Sequence, residues 1–128
     1  MKTSSQNLSK LSVIYVEDEP IIAMDGQAML EDMGFASVAV CYSLADAKAA
    51  LEQQQRFDFG LLDINLGGGE TSLGLAKQLQ DQGTPIVFAS GYNPDEQIVA
   101  KFEVPLVVKP FDDTALRHAI RKSLCDGS

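Results

Sequence analysis

A chain of 128 residues and 13.8 kDa is expected to form one compact domain with no separate output module. Its 45% hydrophobic and 22% charged residues are ordinary for a domain built on its own core, which argues against disorder or a fibrous repeat. Ten basic residues against eighteen acidic ones give a net charge of −8 and a pI near 4.4. That is the wrong sign for neutralising a phosphate backbone, so no DNA binding is expected.

In chain order, 1–9 reads as a polar tail, and the first apolar run, 13–16 (VIYV), reads as a strand. Ile21, Met24 and Ala28 follow at helical spacing, a stripe expected to face the core, and Gly34 stands where a left-handed cap would end the helix. A second strand is expected over 37–41 (SVAVC), then a helix capped by Ser43 with Leu44, Ala47 and Leu51 on its inner face. The third pair is a strand over 57–62 (FDFGLL) and a helix carrying Leu75, Ala76 and Leu79, closed by Gly83. Pro85 opens a fourth strand, 86–89 (IVFA). The helical segment after it, 94–102, is the weakest, with Ile98, Val99 and Phe102 alone making a stripe. A short strand over 106–108 (LVV) and a helix carrying Leu116, Ile120 and Leu124 complete the domain at residue 124, before a tail at 125–128. Five strand and helix pairs in alternation predict an α/β fold, a doubly wound parallel sheet with helices on both faces.

No apolar run reaches the roughly 20 residues that span a bilayer, and the first ten residues lack the apolar middle of a signal peptide. A cytoplasmic location without membrane insertion is expected. Cys41 and Cys125 show no framework spacing and read as reduced thiols, Cys41 as a packing residue. His118, the one histidine, reads as a surface residue.

Open α/β sheets bind ligands beyond the carboxyl ends of their strands, so the residues following each strand are the candidate site. Glu17, Asp18 and Glu19 follow the first strand, Asp63 the third, Ser90 the fourth, and Lys109 and Pro110 the fifth; Tyr42 and Ser43, after the second, suit an edge away from the site. An acid after a strand is commonly a helix cap and a Lys-Pro pair a solvated turn, so each signal alone is weak. Asp63, however, follows Leu61 and Leu62 without a polar spacer, and a carboxylate there is costly unless a cation or donor meets it. Glu17, Asp18 and Asp63 converging would repel one another and invite a divalent cation. With hard oxygen ligands and no His/Cys cluster, magnesium is the expected one. Asp63 could then act as a carboxylate nucleophile toward phosphorus, with Lys109 and the Ser90 hydroxyl stabilising the phosphoryl oxygens.

With VIYVEDEP, GLLDINLGG, IVFASGY and PLVVKPF each at the end of an expected strand, residues 11–124 resemble the receiver domains of two-component response regulators. The resemblance implies a flavodoxin-like three-layer (βα)5 fold with strand order 2-1-3-4-5 and a domain over 10–124. It further implies Asp63 as phosphoacceptor and metal ligand, Asp18 as direct ligand, Glu17 reaching Mg2+ through water and the backbone carbonyl of Asn65 as a further ligand. Ser90 takes the place of the hydroxyl that follows the phosphoryl group, and Lys109 that of the family lysine, before a proline bond that is usually cis. Expected partners are a histidine kinase or histidine phosphotransfer protein and a downstream protein effector. The chain is expected to catalyse only its own phosphorylation and dephosphorylation.

Two departures stand out. Leu106 occupies the position, three before the lysine, where the family generally carries its switch aromatic. FASGY, with Gly67-Gly68-Gly69 after the phosphoacceptor, resembles an atypical receiver subgroup with a Phe-Ala-Thr-Gly-Tyr type motif, associated with HWE-type histidine kinases. There Tyr92 could replace the absent aromatic, and Gly91, Tyr92, Phe102 and Leu106 form the expected switch and partner surface. Other readings are an interaction module that works without phosphorylation or a phosphate sink for a shared kinase, and a haloacid-dehalogenase-like phosphatase. The last needs a second Asp two residues after the nucleophile, where Asn65 stands. A Walker-type loop is disfavoured because 67–72 (GGGETS) lacks its lysine.

Overall fold

The computed structural model describes residues 8–54, 56–91 and 100–126. Five parallel strands form one sheet: β1 (Ser12–Val16), β2 (Ser37–Cys41), β3 (Phe59–Asp63), β4 (Ile86–Ser90) and β5 (Leu106–Val108), in spatial order β2-β1-β3-β4-β5. This is the flavodoxin-like order implied by the resemblance. Alternating with them, among the described residues, are α1 (Pro20–Met33), α2 (Leu44–Gln53), α3 (Leu73–Asp81) and α4 (Asp113–Asp126). Of the expected segment 94–102, residues 100–102 are helical and the rest lies outside the described residues.

Strand alternation sorts the interior into two layers. Val13, Tyr15, Phe59, Leu61, Val87 and Ala89 pack with residues of α1 and α4. Ile14, Val16, Leu62, Ile86 and Phe88 pack with residues of α2 and α3 on the opposite face. β3 and β4 are buried along their full length, which explains why both read as almost continuous apolar runs.

The expected caps hold. Gly34 ends α1 with φ 105°, Gly83 follows α3 with φ 82°, and the Ser43 hydroxyl accepts a bond from the Asp46 N–H.

The stripe on α1 is the clear correction. Ile21 and Met24 are 77% and 65% exposed and Ala28 is exposed, whereas Ala23, Gly26 and Leu30 form the buried face. The cause lies beneath the helix. A Cβ on Gly26 would stand 2.2 Å from the Tyr15 hydroxyl, so only a glycine fits over that ring. The inner face therefore carries small residues, Ala23 and Gly26, ahead of Leu30, while Ile21 and Met24 point outward.

Of the two expected tails, residues 1–7 and 127–128 lie outside the described residues. Leu8 is buried at the start of a 3-10 turn (Leu8–Lys10), and α4 continues through Asp126. Among the described residues no helix is long and apolar enough to cross a membrane.

Candidate functional site

The carboxyl ends of β1, β3, β4 and β5 meet at one rim. Glu17 directly continues β1, its N–H bonded to the Cys41 carbonyl at 2.9 Å, and its side chain is fully buried. Asp63 is the last residue of β3 and is 2% exposed. Lys109, just beyond β5, reaches across both: its Nζ donates to Asp63 Oδ2 at 2.8 Å and to Glu17 Oε1 and Oε2 at 3.0 and 3.2 Å. Asp18 is half-buried, and oxygens of Glu17, Asp18 and Asp63 lie within 4.8 Å of one another. Ser90 sits on β4 one residue past the register partner of Asp63, is 2% exposed, and accepts at its carbonyl from the Lys109 N–H at 2.6 Å. The Lys109–Pro110 peptide is cis, as the resemblance implied.

One ammonium among three carboxylates leaves the rim electron-rich. Burial pushes the Glu17 carboxyl up to about 7; the Asp63 charge adds to that rise, while the Glu19 N–H and Lys109 oppose it. Asp63 is also raised, chiefly by burial and against the pull of Lys109. The Lys109 ammonium is held above the usual lysine range by Asp63 and Glu17, which outweigh its own burial. Among the described residues Asp18 has no ion-pair partner. A divalent cation held by oxygen ligands fits this donor set and would cancel the remaining charge.

Between β3 and α3 the chain makes a small hairpin. Leu66 N–H bonds to the Glu70 carbonyl, Glu70 N–H to that of Gly67 and Ser72 N–H to that of Ile64, bringing Asn65 opposite Thr71. Asn65 thus occupies a non-bonded pair position, and none of these three bonds uses its carbonyl. Gly67, Gly68 and Gly69 all have positive φ, at 81°, 59° and 82°.

The structure therefore gathers Glu17, Asp18, Asp63, Ser90, Asn65 and Lys109 on one rim. Of the expected switch surface, Gly91, Phe102 and Leu106 are described. Phe102 is half-buried with its ring edge-on to Phe88 at 5.1 Å, Leu106 packs into the same cluster, Gly91 is exposed, and Tyr92 lies outside the described residues. His118 is exposed, as expected. Cys41 is buried, and burial raises its thiol to about 11, in keeping with a packing role. Sequence reasoning missed two features: the direct pairing of Glu17 with Lys109, and the approach of Gly67 to Asp18, where a Cβ would stand 3.2 Å from Oδ2. Both join residues far apart in the chain, and no local pattern announces either.

Residues 13–121 match the response regulator receiver domain. The phyllosphere-induced regulator PhyR of Methylorubrum extorquens is 28% identical over 115 residues, covering 88% of this chain and 43% of that protein. The transcriptional regulatory protein CseB of Streptomyces coelicolor is 32% identical over 118 residues, covering 88% of this chain and 48% of its own. The chain thus spans about half the length of these curated relatives. Among solved structures, SdrG from Sphingomonas melonis is similar, with a TM-score of 0.73 and 33% identity over 89% of this chain and 96% of that one.

Proposed function

The chain belongs to the response regulator receiver family of two-component signalling, and from that premise we propose that it takes a phosphoryl group from a histidine kinase or histidine phosphotransfer protein onto Asp63. The observation that carries this reading is a carboxylate at the end of a buried strand, with Lys109 Nζ at 2.8 Å and the oxygens of Glu17 and Asp18 beside it.

In the transfer, an Asp63 oxygen attacks phosphorus as the phosphorus–nitrogen bond to the donor imidazole breaks, and the electron pair leaves with that nitrogen. No general base is needed, because the carboxylate carries no proton. Lys109 is placed to follow the phosphoryl oxygens by exchanging its bond to Asp63 for one to the new group, while Glu17 keeps the ammonium in register. The Ser90 hydroxyl supplies a further donor from the adjacent strand. Asp18, Asp63 and the Asn65 carbonyl would hold Mg2+, with Glu17 reaching it through water; the cation would supply charge neutralisation of the phosphoryl oxygens.

The added charge of about −1.5 to −2 on Asp63 is the signal, read by a downstream protein. Gly91 and the segment anchored by Phe102 and Leu106 adjoin β4 and β5 and are the surface that reports it, with Tyr92 as its aromatic. The FASGY sequence favours a kinase of the HWE type as donor. Ile21 and Met24, exposed on the first turns of α1 just after the acidic loop, offer the apolar contact that a protein donor needs beside the site. On this reading the domain turns over only its own phosphoryl group in the cytoplasm, and its charge of −8 disfavours direct contact between this domain and a phosphate backbone.

Incubation with Mg2+ and either acetyl phosphate or a phosphorylated kinase tests it, read by intact mass and site mapping. A single phosphate-sized, alkali-labile adduct on Asp63, absent in Asp63→Ala, is expected. An adduct elsewhere, or none with either donor, overturns the proposal.

A further inference from the structure

We infer that Gly67 is a positioning residue for the cation: its bare Cα leaves room for the Asp18 carboxylate, and a side chain there crowds a metal ligand. This rests on the phosphoacceptor reading above and concerns how its metal ligands are held. Three consecutive glycines at positive φ would ordinarily be explained by backbone conformation alone. Gly68 and Gly69 fit that explanation, since a Cβ on either meets nothing within 4 Å. Gly67 does not, because its Cβ would stand 3.2 Å from Asp18 Oδ2.

Either way of relieving that contact disturbs the site. If the carboxylate yields, its oxygens turn within a cluster whose members lie within 4.8 Å of one another. The terminal torsion of an aspartate is soft, so the carboxylate is the group that gives first. If the hairpin yields instead, it takes Asn65 with it, because the Leu66–Glu70, Glu70–Gly67 and Ser72–Ile64 bonds brace 64–72 as one unit. The Asn65 carbonyl, proposed above as a ligand, would then shift with it.

Gly69 supplies the control. Its φ of 82° matches the 81° of Gly67, so alanine at either position is held at the same positive φ and only one meets Asp18. Mg2+ titration by calorimetry on wild type, Gly67→Ala and Gly69→Ala separates the effects. We expect both variants to lose folding stability similarly, Gly69→Ala to keep wild-type Mg2+ affinity, and Gly67→Ala to bind Mg2+ about tenfold more weakly, at the low end for changes behind a metal ligand. Equal affinities in the two variants overturn the inference and leave the phosphoacceptor reading intact. A wild type that binds no Mg2+ overturns both.

Should Gly67→Ala fail to fold, backbone NMR of the wild type decides. Added Mg2+ is expected to shift the Asp18 and Gly67 amide signals together while Gly69 stays near its metal-free position. A Gly67 signal that does not move with Asp18 refutes the inference.

Discussion

The two ends of the sheet use polar groups in opposite ways. At the amino end of the strands, Asp58 accepts from the Ser12 N–H and hydroxyl, Gln54 donates to Ser12, and Thr84 donates to the Phe57 carbonyl. These bonds tie the chain entering β3 to β1 and to the residue before Pro85, with Asp58 the one charged side chain among them. At the carboxyl end, two buried carboxylates share one lysine, and a half-buried third stands beside them without an ion-pair partner among the described residues. One end is assembled for stability, and the other gives up stability to remain receptive to a cation and a phosphoryl group.

The largest expected effect comes from breaking the charged end. Lys109→Ala strands Glu17 and Asp63 without their ammonium and should cost about 3–5 kcal/mol at neutral pH, along with roughly 100-fold slower phosphoryl uptake from acetyl phosphate. Denaturant unfolding and a phosphorylation time course measure both. The loss should shrink in acid, where the carboxyls protonate.

Acid titration sharpens the contrast. The Glu17 carboxyl stands at about 7 in the fold against an ordinary 4.5, so between those values the folded chain holds more protons than the unfolded one. Its contribution to stability is then most favourable below about pH 4.5 and falls as pH rises toward 7. Subtracting the pH profile of Glu17→Gln from that of wild type should show this decline in metal-free protein, and saturating Mg2+ should flatten it.

The amino end should respond through folding alone. Asp58→Ala leaves the Ser12 N–H without its partner and should cost about 1–3 kcal/mol, with Mg2+ affinity and Asp63 phosphorylation unchanged. A shift in Mg2+ affinity would show that the two ends are coupled. The smallest stability effect belongs to Ile21→Ser, within about 0.5 kcal/mol of wild type. Phosphotransfer from a cognate kinase should nevertheless slow, while uptake from acetyl phosphate stays constant.

Much of this was legible in the residues. Glu17, Asp63, Ser90 and Lys109 each stand at the end of a short apolar run, and parallel strands carry such residues to one rim. Helix α1 was misread for a physical reason: burial against Tyr15 selects Ala23 and Gly26, which carry little hydrophobic signal, while Ile21 and Met24 look like core and are not. β3 was placed two residues early because Phe57 is buried like a strand residue although the strand begins at Phe59. The Gly67 contact could not be read at all, since a run of glycines announces backbone freedom and not what lies across from it.

The Tyr15 phenol beneath Gly26 also works as a key in a slot. A turn of α1 by one residue, ~100°, would carry a side chain into that ring, so the helix cannot roll to hide Ile21 and Met24. The greasy patch they form is thus a permanent fixture of the free protein, ready before any caller arrives.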